Sequence, residues 1–554
     1  MSVINRTKSQ ISTHAIERIY VTMRHLFNRG FYKPTGVSGK TLRDALLTLK
    51  PEIYGSIAED KSELEGLLYI IDRLPDGIEE CRFINLTADE GFLNSHFKII
   101  IPAKRRRNCY RIDKDQMNIE ITRGRSDIYD ILTHLTFMII ESHKIARKVL
   151  INENDDMMRE WSSLEDVVIK NKKINKNERE VLYTHLSSIL GRSFEEIQES
   201  DVNFSTNAQP NRFFNIIYWM GKLALNENLE DQKYVITFSP LLNERIGHHI
   251  YGEIWATNVK KILQNKGLLK RPIHIISANM HSVMNSIYGP VFLPKEKSEL
   301  TLFEMLSKPE NDDLQKSIKK GASSKGLTFI KDTSGTNINV QIIDTEKIDF
   351  DKTNYNISNS KEEKPVIIVM DYAFGEQAYE TMDELLKPYF TEEGEKHHLN
   401  VISISIMGKA GILQGGKGDI MIPKAHIFEG TADNYPFKNQ LSVKSFKDTG
   451  AKVFKGAMVT VLGTSLQNRD ILEFFHNSTW QVIGLEMEGA HYQKAIQAAS
   501  KIRGNISNKV KVRYAYYASD NPLESGSTLA SGGLGTSGVR PTYIITQKIL
   551  EQIF

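Results

Sequence analysis

The sequence predicts a multidomain protein: a mainly helical N-terminal region, a middle α/β domain and a C-terminal α/β domain. Three observations carry this. The chain has 554 residues, more than one hydrophobic core usually serves. Through the first 200 residues, apolar side chains recur at helical spacing. From residue 365 onward, short continuous apolar runs read as strands buried on both faces, with helical segments between them.

The elements run in order along the chain. Residues 1–205 form the mainly helical domain. Ile16, Ile19, Tyr20, Met23, Leu26 and Phe27 mark one helix, and Ile128, Tyr129, Ile131, Leu132 and Leu135, continuing through Ile140, mark another. Phe97–Ile101 reads as a short strand between them. His134, Glu141 and His143 lie on the second helix, but His143 does not share the face of the other two, so no metal site is expected. Residues 206–305 form a small α/β domain: strand Tyr234–Phe238, a helix through Trp255 and Leu263, strand Ile273–Ser277, then a helix opening at Asn279. That order favours a parallel sheet. His248, His249 and His281 come after the strand ends, where ligands often bind.

Residues 306–363 form a polar extension and linker. Lys319–Gly326 reads as an exposed loop, and Asn354–Lys364 as a second polar stretch. Residues 364–554 form the last domain. Its strands begin with Val366–Met370 and Val401–Ile406, and its helices fit Glu376–Tyr389, Gly489–Ser500 and Tyr543–Ile553. Gly532-Gly533-Leu534-Gly535 suits a flexible lid, with no dinucleotide motif around it.

Composition narrows the function classes. Hydrophobic residues make up 40% of the chain and charged residues 25%, the balance of a soluble globular protein. A net charge of +3 argues for neither a nucleic-acid nor a membrane surface. Lys104-Arg105-Arg106-Arg107 reads as a short solvated turn. The only cysteines, Cys81 and Cys109, fit a reducing compartment. Met1–Arg6 lacks the apolar core of a signal peptide, and no run approaches the roughly 20 apolar residues of a membrane helix. A cytoplasmic protein is expected.

Two segments carry chemistry. Val482–Leu485 is a short apolar strand that delivers Glu486-Met487-Glu488, and Tyr516–Ala518 delivers Ser519-Asp520. In an open α/β sheet, ligands sit outside such strand ends. Two strand ends bearing acids suit a ligand with hydroxyls to grip and a basic atom to protonate. A purine nucleoside has both.

These residues resemble the nucleoside phosphorylase and nucleosidase superfamily in three ordered blocks. Met407-Gly408-Lys409-Ala410-Gly411-Ile412, with Lys417-Gly418-Asp419-Ile420 after it, is similar to the family's Gly-Ala-Gly turn and following strand. Glu486-Met487-Glu488-Gly489-Ala490 resembles its ribose-binding segment. Ser519-Asp520-Asn521-Pro522-Leu523-Glu524-Ser525-Gly526 is most like AMP nucleosidase. The resemblance covers about the last 190 residues.

It implies a mixed sheet partly closed into a barrel, a small-molecule purine ligand, a homo-oligomer, and no metal or organic cofactor. It also implies roles. Asp520, beside Ser519, is the general acid to the leaving base, and must hold its proton in a sheltered site. Glu488 and Met487 hold the ribose. Glu486 supports the helix start or holds a catalytic water. Phosphorylases of this superfamily carry Gly and Arg after the first strand, whereas Asp371-Tyr372-Ala373-Phe374-Gly375-Glu376-Gln377 has no Arg. Water is therefore the expected nucleophile, with Glu376 as its base and Asp371 as the alternative. Lys409, Lys417, Arg469 and the amides of Gly408, Ala410 and Gly411, as an anion nest, are candidates for a 5′-phosphate. Two alternatives remain open: a purine nucleoside phosphorylase, and a non-catalytic purine nucleotide sensor.

Overall fold

The computed structural model describes residues 7–151, 156–170, 172, 174–293, 299–355, 363–431, 433–524 and 535–554. It divides into two compact units. The first comprises Met1–Thr122, Asp127–His248 and Ser465–Asn468; the second comprises Arg123–Ser126, His249–Thr464 and Arg469–Phe554. Among the described residues, no helix is long and apolar enough to cross a membrane.

The first unit opens with the helix Lys8–Arg29. Its expected stripe is buried: Ile16, Ile19, Met23, Leu26 and Phe27 face the core. Thr7 and Gln10 form a capping box at its start, and Gly30, at φ 84°, ends it in the left-handed conformation that glycine adopts cheaply. The unit's sheet has six strands: β1 (Phe31–Tyr32), β2 (Phe83–Thr87), β3 (Ile99–Ile100), β4 (Cys109–Asp113), β5 (Gln116–Glu120) and β6 (Val235–Phe238). They lie in the order β1-β6-β2-β5-β4-β3, with β2 parallel to both β5 and β6.

The run Lys104–Arg107 is a solvated turn only in part: Lys104 and Arg106 are exposed, whereas Arg105 and Arg107 are drawn inward. Arg107 is 4% exposed, and its Nη2 lies 2.7 Å from Asp127 Oδ1. Arg105 Nη2 lies 2.7 Å from Asp130 Oδ1. The two aspartates, on a helix about twenty residues later, draw the guanidinium groups inward.

The second unit holds a ten-stranded sheet and a small hairpin. In chain order its strands are β7 (Ile273–Ser277), β8 (Leu327–Ile330), β9 (Val340–Asp344), β10 (Val366–Met370), the hairpin β11 (Tyr389–Phe390) and β12 (Lys396–His397), β13 (Val401–Ile412), β14 (Ile420–Phe428), β15 (Asn434–Pro436), β16 (Val453–Thr460), β17 (Val482–Glu486) and β18 (Lys511–Asp520). One path runs β15-β14-β16-β17-β13-β7-β10-β9-β8, and β18 bridges β13 and β14. The strands β13, β18, β14, β16 and β17 thus close on themselves as a five-stranded barrel within a mixed sheet.

Three sequence readings change here. β6 and β7 lie in different sheets, so the parallel pairing expected between them is not formed. All five residues of β7 are buried, and it pairs with β10 on one side and β13 on the other; β6 alternates between half-buried and buried. Lys319–Ser324 is not loop but the end of the helix Asp312–Ser324, which buries Ile318 and Ala322, half-buries Leu314, Gln315 and Gly321, and exposes the rest. The segment Gly408–Gly411 is not a turn but part of β13, hydrogen-bonded to β18 along its length. Residues 356–362, within the Asn354–Lys364 stretch, and 525–534, which include most of the lid segment, lie outside the described residues.

Two helices leave the sheet centre on opposite faces. Val283, Met284 and Ile287 of the helix Met280–Phe292, which comes after β7, share one core with Ile276, Ile367 and Val369. Ala378, Met382 and Leu385 of the helix Gln377–Leu386, which comes after β10, share the other with Ile275, Ile368 and Met370. The alternation along each strand feeds both cores. Adjacent parallel strands whose helices diverge leave a crevice at their C-terminal ends, the usual ligand position in such sheets.

Candidate active site

A cavity of about 300 Å³ occupies that crevice. Its lining includes Ser277 at the end of β7, Tyr372 and Ala373 after β10, Lys409 of β13, Tyr516 of β18, and Glu488. The polar groups thus converge from several strands and the turns that leave them.

Glu486 ends β17 and is 4% exposed. Its Oε2 accepts the backbone N–H groups of Glu488, at 2.6 Å, and Gly489. The Thr460 hydroxyl at the end of β16 donates to its Oε1 and in turn accepts the Ala490 N–H at 2.9 Å. Glu486 is therefore the support of the helix Gly489–Gln497, meeting amides that the helix leaves without internal partners. Burial, with Glu488 nearby, pushes its carboxyl up to about 8.

Glu488 stands just before that helix and reaches the cavity. The Gly375 N–H donates to its Oε1 at 2.9 Å. Burial pushes this carboxyl up to about 7. Gly375 has φ 54°, and a Cβ there would lie 2.3 Å from Ser126 Oγ. Met487 lies close by, its methyl 4.0 Å from the same point.

Glu376 comes next, at the start of the helix Gln377–Leu386. Its N–H donates to Ser126 Oγ at 2.8 Å, and Arg125 Nη1 lies 3.0 Å from its Oε1. The Glu488 carboxyl is thus tied to the residue before Glu376, while the Glu376 carboxyl is tied to Arg125.

Asp520 ends β18 opposite Gly411 of β13, and Leu485 pairs with the same glycine from the other side. Ser519 Oγ donates to Asp520 Oδ1 and lies 3.1 Å from the Ala410 carbonyl. Among the described residues, Asp520 Oδ2 is buried with no hydrogen-bond partner. Burial raises the Asp520 carboxyl, and the Ser519 hydrogen bond, with Lys409 and Lys417, pulls it back only in part.

A family model described as a family of unknown function, DUF6909, matches residues 40–320 and 300–554. The chain belongs to the DUF6909 family. No curated protein matches the sequence. Among solved structures, the 5′-methylthioadenosine/S-adenosyl homocysteine nucleosidase of Campylobacter jejuni is 12% identical, with a TM-score of 0.31 over 51% of this chain and 99% of that one. The futalosine hydrolase of Helicobacter pylori is 11% identical, with a TM-score of 0.30 over 51% of this chain and 98% of that one. The 5′-methylthioadenosine nucleosidase of Arabidopsis thaliana is 12% identical, with a TM-score of 0.30 over 51% of this chain and 96% of that one.

The remaining candidates of this DUF6909 chain separate. Lys409 and Gly408 line the cavity. Gly408 and Gly411 are not among the glycines with positive φ, and their strand amides run along the β13 ladder rather than converging as a nest. Arg469 Nε pairs with Glu473 at 2.8 Å on an exposed helix surface.

Sequence reasoning missed Ser126, Arg125, Tyr492 and Tyr516. Tyr492 OH lies 3.0 Å from Ser277 Oγ, and Tyr516 OH lies 3.1 Å from Nε2 of the buried His426. The tyrosines had a signal: both belong to the segments already read as strand end and helix start. Arg125 and Ser126 had none, being some 250 residues from Glu376.

Proposed function

We propose that the second unit hydrolyses the N-glycosidic bond of a purine nucleoside or nucleotide, with AMP as the leading nucleotide substrate. The observation that carries this is the buried Oδ2 of Asp520, unpaired among the described residues. A carboxylate abandoned in that position would be costly, whereas a carboxylic acid has a proton to give. Asp520 donates it to the departing base. Glu488, beside Met487, accepts hydrogen bonds from the ribose hydroxyls and sets negative potential near the developing oxocarbenium ion. Glu376, held by Arg125 and Ser126, orients the attacking water.

In this step water adds to C1′, the C1′–N9 bond breaks, the Asp520 proton goes to the purine, and the water proton goes to Glu376. The products are free purine and ribose or ribose 5-phosphate. We expect the working form to be a cytoplasmic homo-oligomer.

The test is incubation of the full chain with AMP, adenosine, inosine and methylthioadenosine, with and without inorganic phosphate. Released base is monitored by chromatography. Base release independent of phosphate is expected. A strict need for phosphate would make the protein a phosphorylase. Binding of intact nucleotide with no base released would make it a sensor.

A further inference from the structure

A second acid stands one helical turn beyond Glu376. Glu380 follows it by four residues, so the two side chains share a face of the helix Gln377–Leu386. Glu380 is 2% exposed, and among the described residues its Oε1 has no hydrogen-bond partner. Its carboxyl lies against the backbone of Gly124, where a Cβ would sit 3.0 Å from Oε1. Gly124, at φ 79°, immediately precedes Arg125, whose Nη1 lies 3.0 Å from Glu376 Oε1. The short segment Arg123–Ser126 therefore meets both acids.

Two carboxyls thus share one guanidinium. Neighbouring carboxylates in a sheltered place resist ionising together, and the one without a counter-ion keeps its proton. Glu376 has the ion pair; Glu380 forms none among the described residues. Burial raises the Glu380 carboxyl well above the usual range, the Glu376 charge adds to this, and Arg125 offsets it only in part. Glu384, a further turn along, pushes the same way. Charges on the packed elements stand near the other acids of this helix. His491, with Lys494 beside it, is near Glu376, and His249 is near Glu376 and Asp383. Glu253 and Lys260 are near Glu384, and Arg503 pairs with Asp383.

We propose that Glu380 is a positioning residue for Glu376: as a neutral acid it leaves the Arg125 guanidinium on Glu376, and once ionised it competes for that guanidinium and turns the Glu376 carboxylate from its place. The inference rests on the nucleosidase reading for what Glu376 does. Glu380 itself touches no substrate and transfers no proton. Its effect is to limit base release at the alkaline side, where a second negative charge appears beside the Glu376–Arg125 pair.

The test has one arm with substrate and one without. In the first, kcat/KM for base release from the fastest substrate of the panel is followed from about pH 6 to 10. The full chain is compared with the full chain carrying Glu380→Gln, since glutamine keeps the shape and neutrality of the protonated acid. Asp520 and Glu488 titrate in both chains, so their effect cancels in the ratio of variant to parent. Misplacing a general base forfeits part of its roughly 10²- to 10⁴-fold contribution, so that ratio should rise by about tenfold across the range. In the second arm, a double-mutant cycle in urea, Arg125→Met against Glu376→Gln, reads the hold of Arg125 on Glu376 at about pH 6 and 9.5. The coupling should lose at least about half its size at the upper pH in the parent, and keep it when Glu380→Gln is present. A flat activity ratio, or a parent coupling equal at the two pH values, would overturn the proposal. A parent chain that releases no base sinks the hydrolase reading instead, and the coupling alone then decides whether Glu380 governs the pair.

Discussion

Replacing Gly375 by alanine should disable the site from its backbone outward. The residue has φ 54°, where an L side chain costs about 1–2 kcal/mol. Its new Cβ would sit 2.3 Å from Ser126 Oγ and 2.6 Å from Ser126 Cβ. Turning the hydroxyl aside does not relieve the second contact. Overpacking of this kind adds about 1–3 kcal/mol. Displacing Ser126 also breaks its 2.8 Å bond from the Glu376 N–H, worth about 1 kcal/mol. The expected loss of stability is therefore about 3–6 kcal/mol, read from the denaturant midpoint of the full chain. Base release should fall with it, because the Gly375 N–H also orients Glu488. Ser126→Gly in the same chain removes the colliding atoms. It should recover at least about 1 kcal/mol relative to the sum of the single changes. A Gly375→Ala protein within about 0.5 kcal/mol of the parent, or a strictly additive double variant, would refute this account.

Three further outcomes are expected. Asp520→Asn should lower kcat/KM for base release by about 10²- to 10⁴-fold while nucleotide still binds, checked by steady-state kinetics beside calorimetry. The Glu486 carboxyl sits at about 8 in the folded chain, against about 4.3 when unfolded, so the native state binds more protons. That contribution is fully present below the unfolded value and is lost as pH rises through 8. Thermal midpoints should thus fall between about pH 5 and 8, and Glu486→Gln should flatten the decline. Arg107→Ala strands the 1%-exposed Asp127 side chain without its guanidinium, and should cost about 3–5 kcal/mol in urea unfolding.

Legibility from sequence tracked the range of the forces involved. Val366–Met370 could be read because a strand buried on both faces must be apolar throughout. Glu486 and Glu488 could be read because a strand end, an acid pair and a helix start are contiguous. Gly408–Gly411 misled, since glycines suggest a turn locally while β18 supplies a long-range partner that keeps them extended. Lys319–Ser324 misled because a helix with one narrow buried stripe has the composition of a loop. The clasp of Arg125 and Ser126 on Glu376 was invisible, since nothing local records a contact across 250 positions.

The placement of β7 governs how this protein can be dissected. Ile273–Ser277 sits between β10 and β13, hydrogen-bonded to both. Expressing residues 365–554 alone would pull the middle stave from the sheet and expose two unsatisfied edges of apolar strand, a surface that invites aggregation. Such a fragment would also arrive without Arg125, leaving Glu376 bereft of its counter-charge. Scissors belong elsewhere: the unit that carries the candidate site draws on Arg123–Ser126 and His249–Thr464 as well as on Arg469–Phe554.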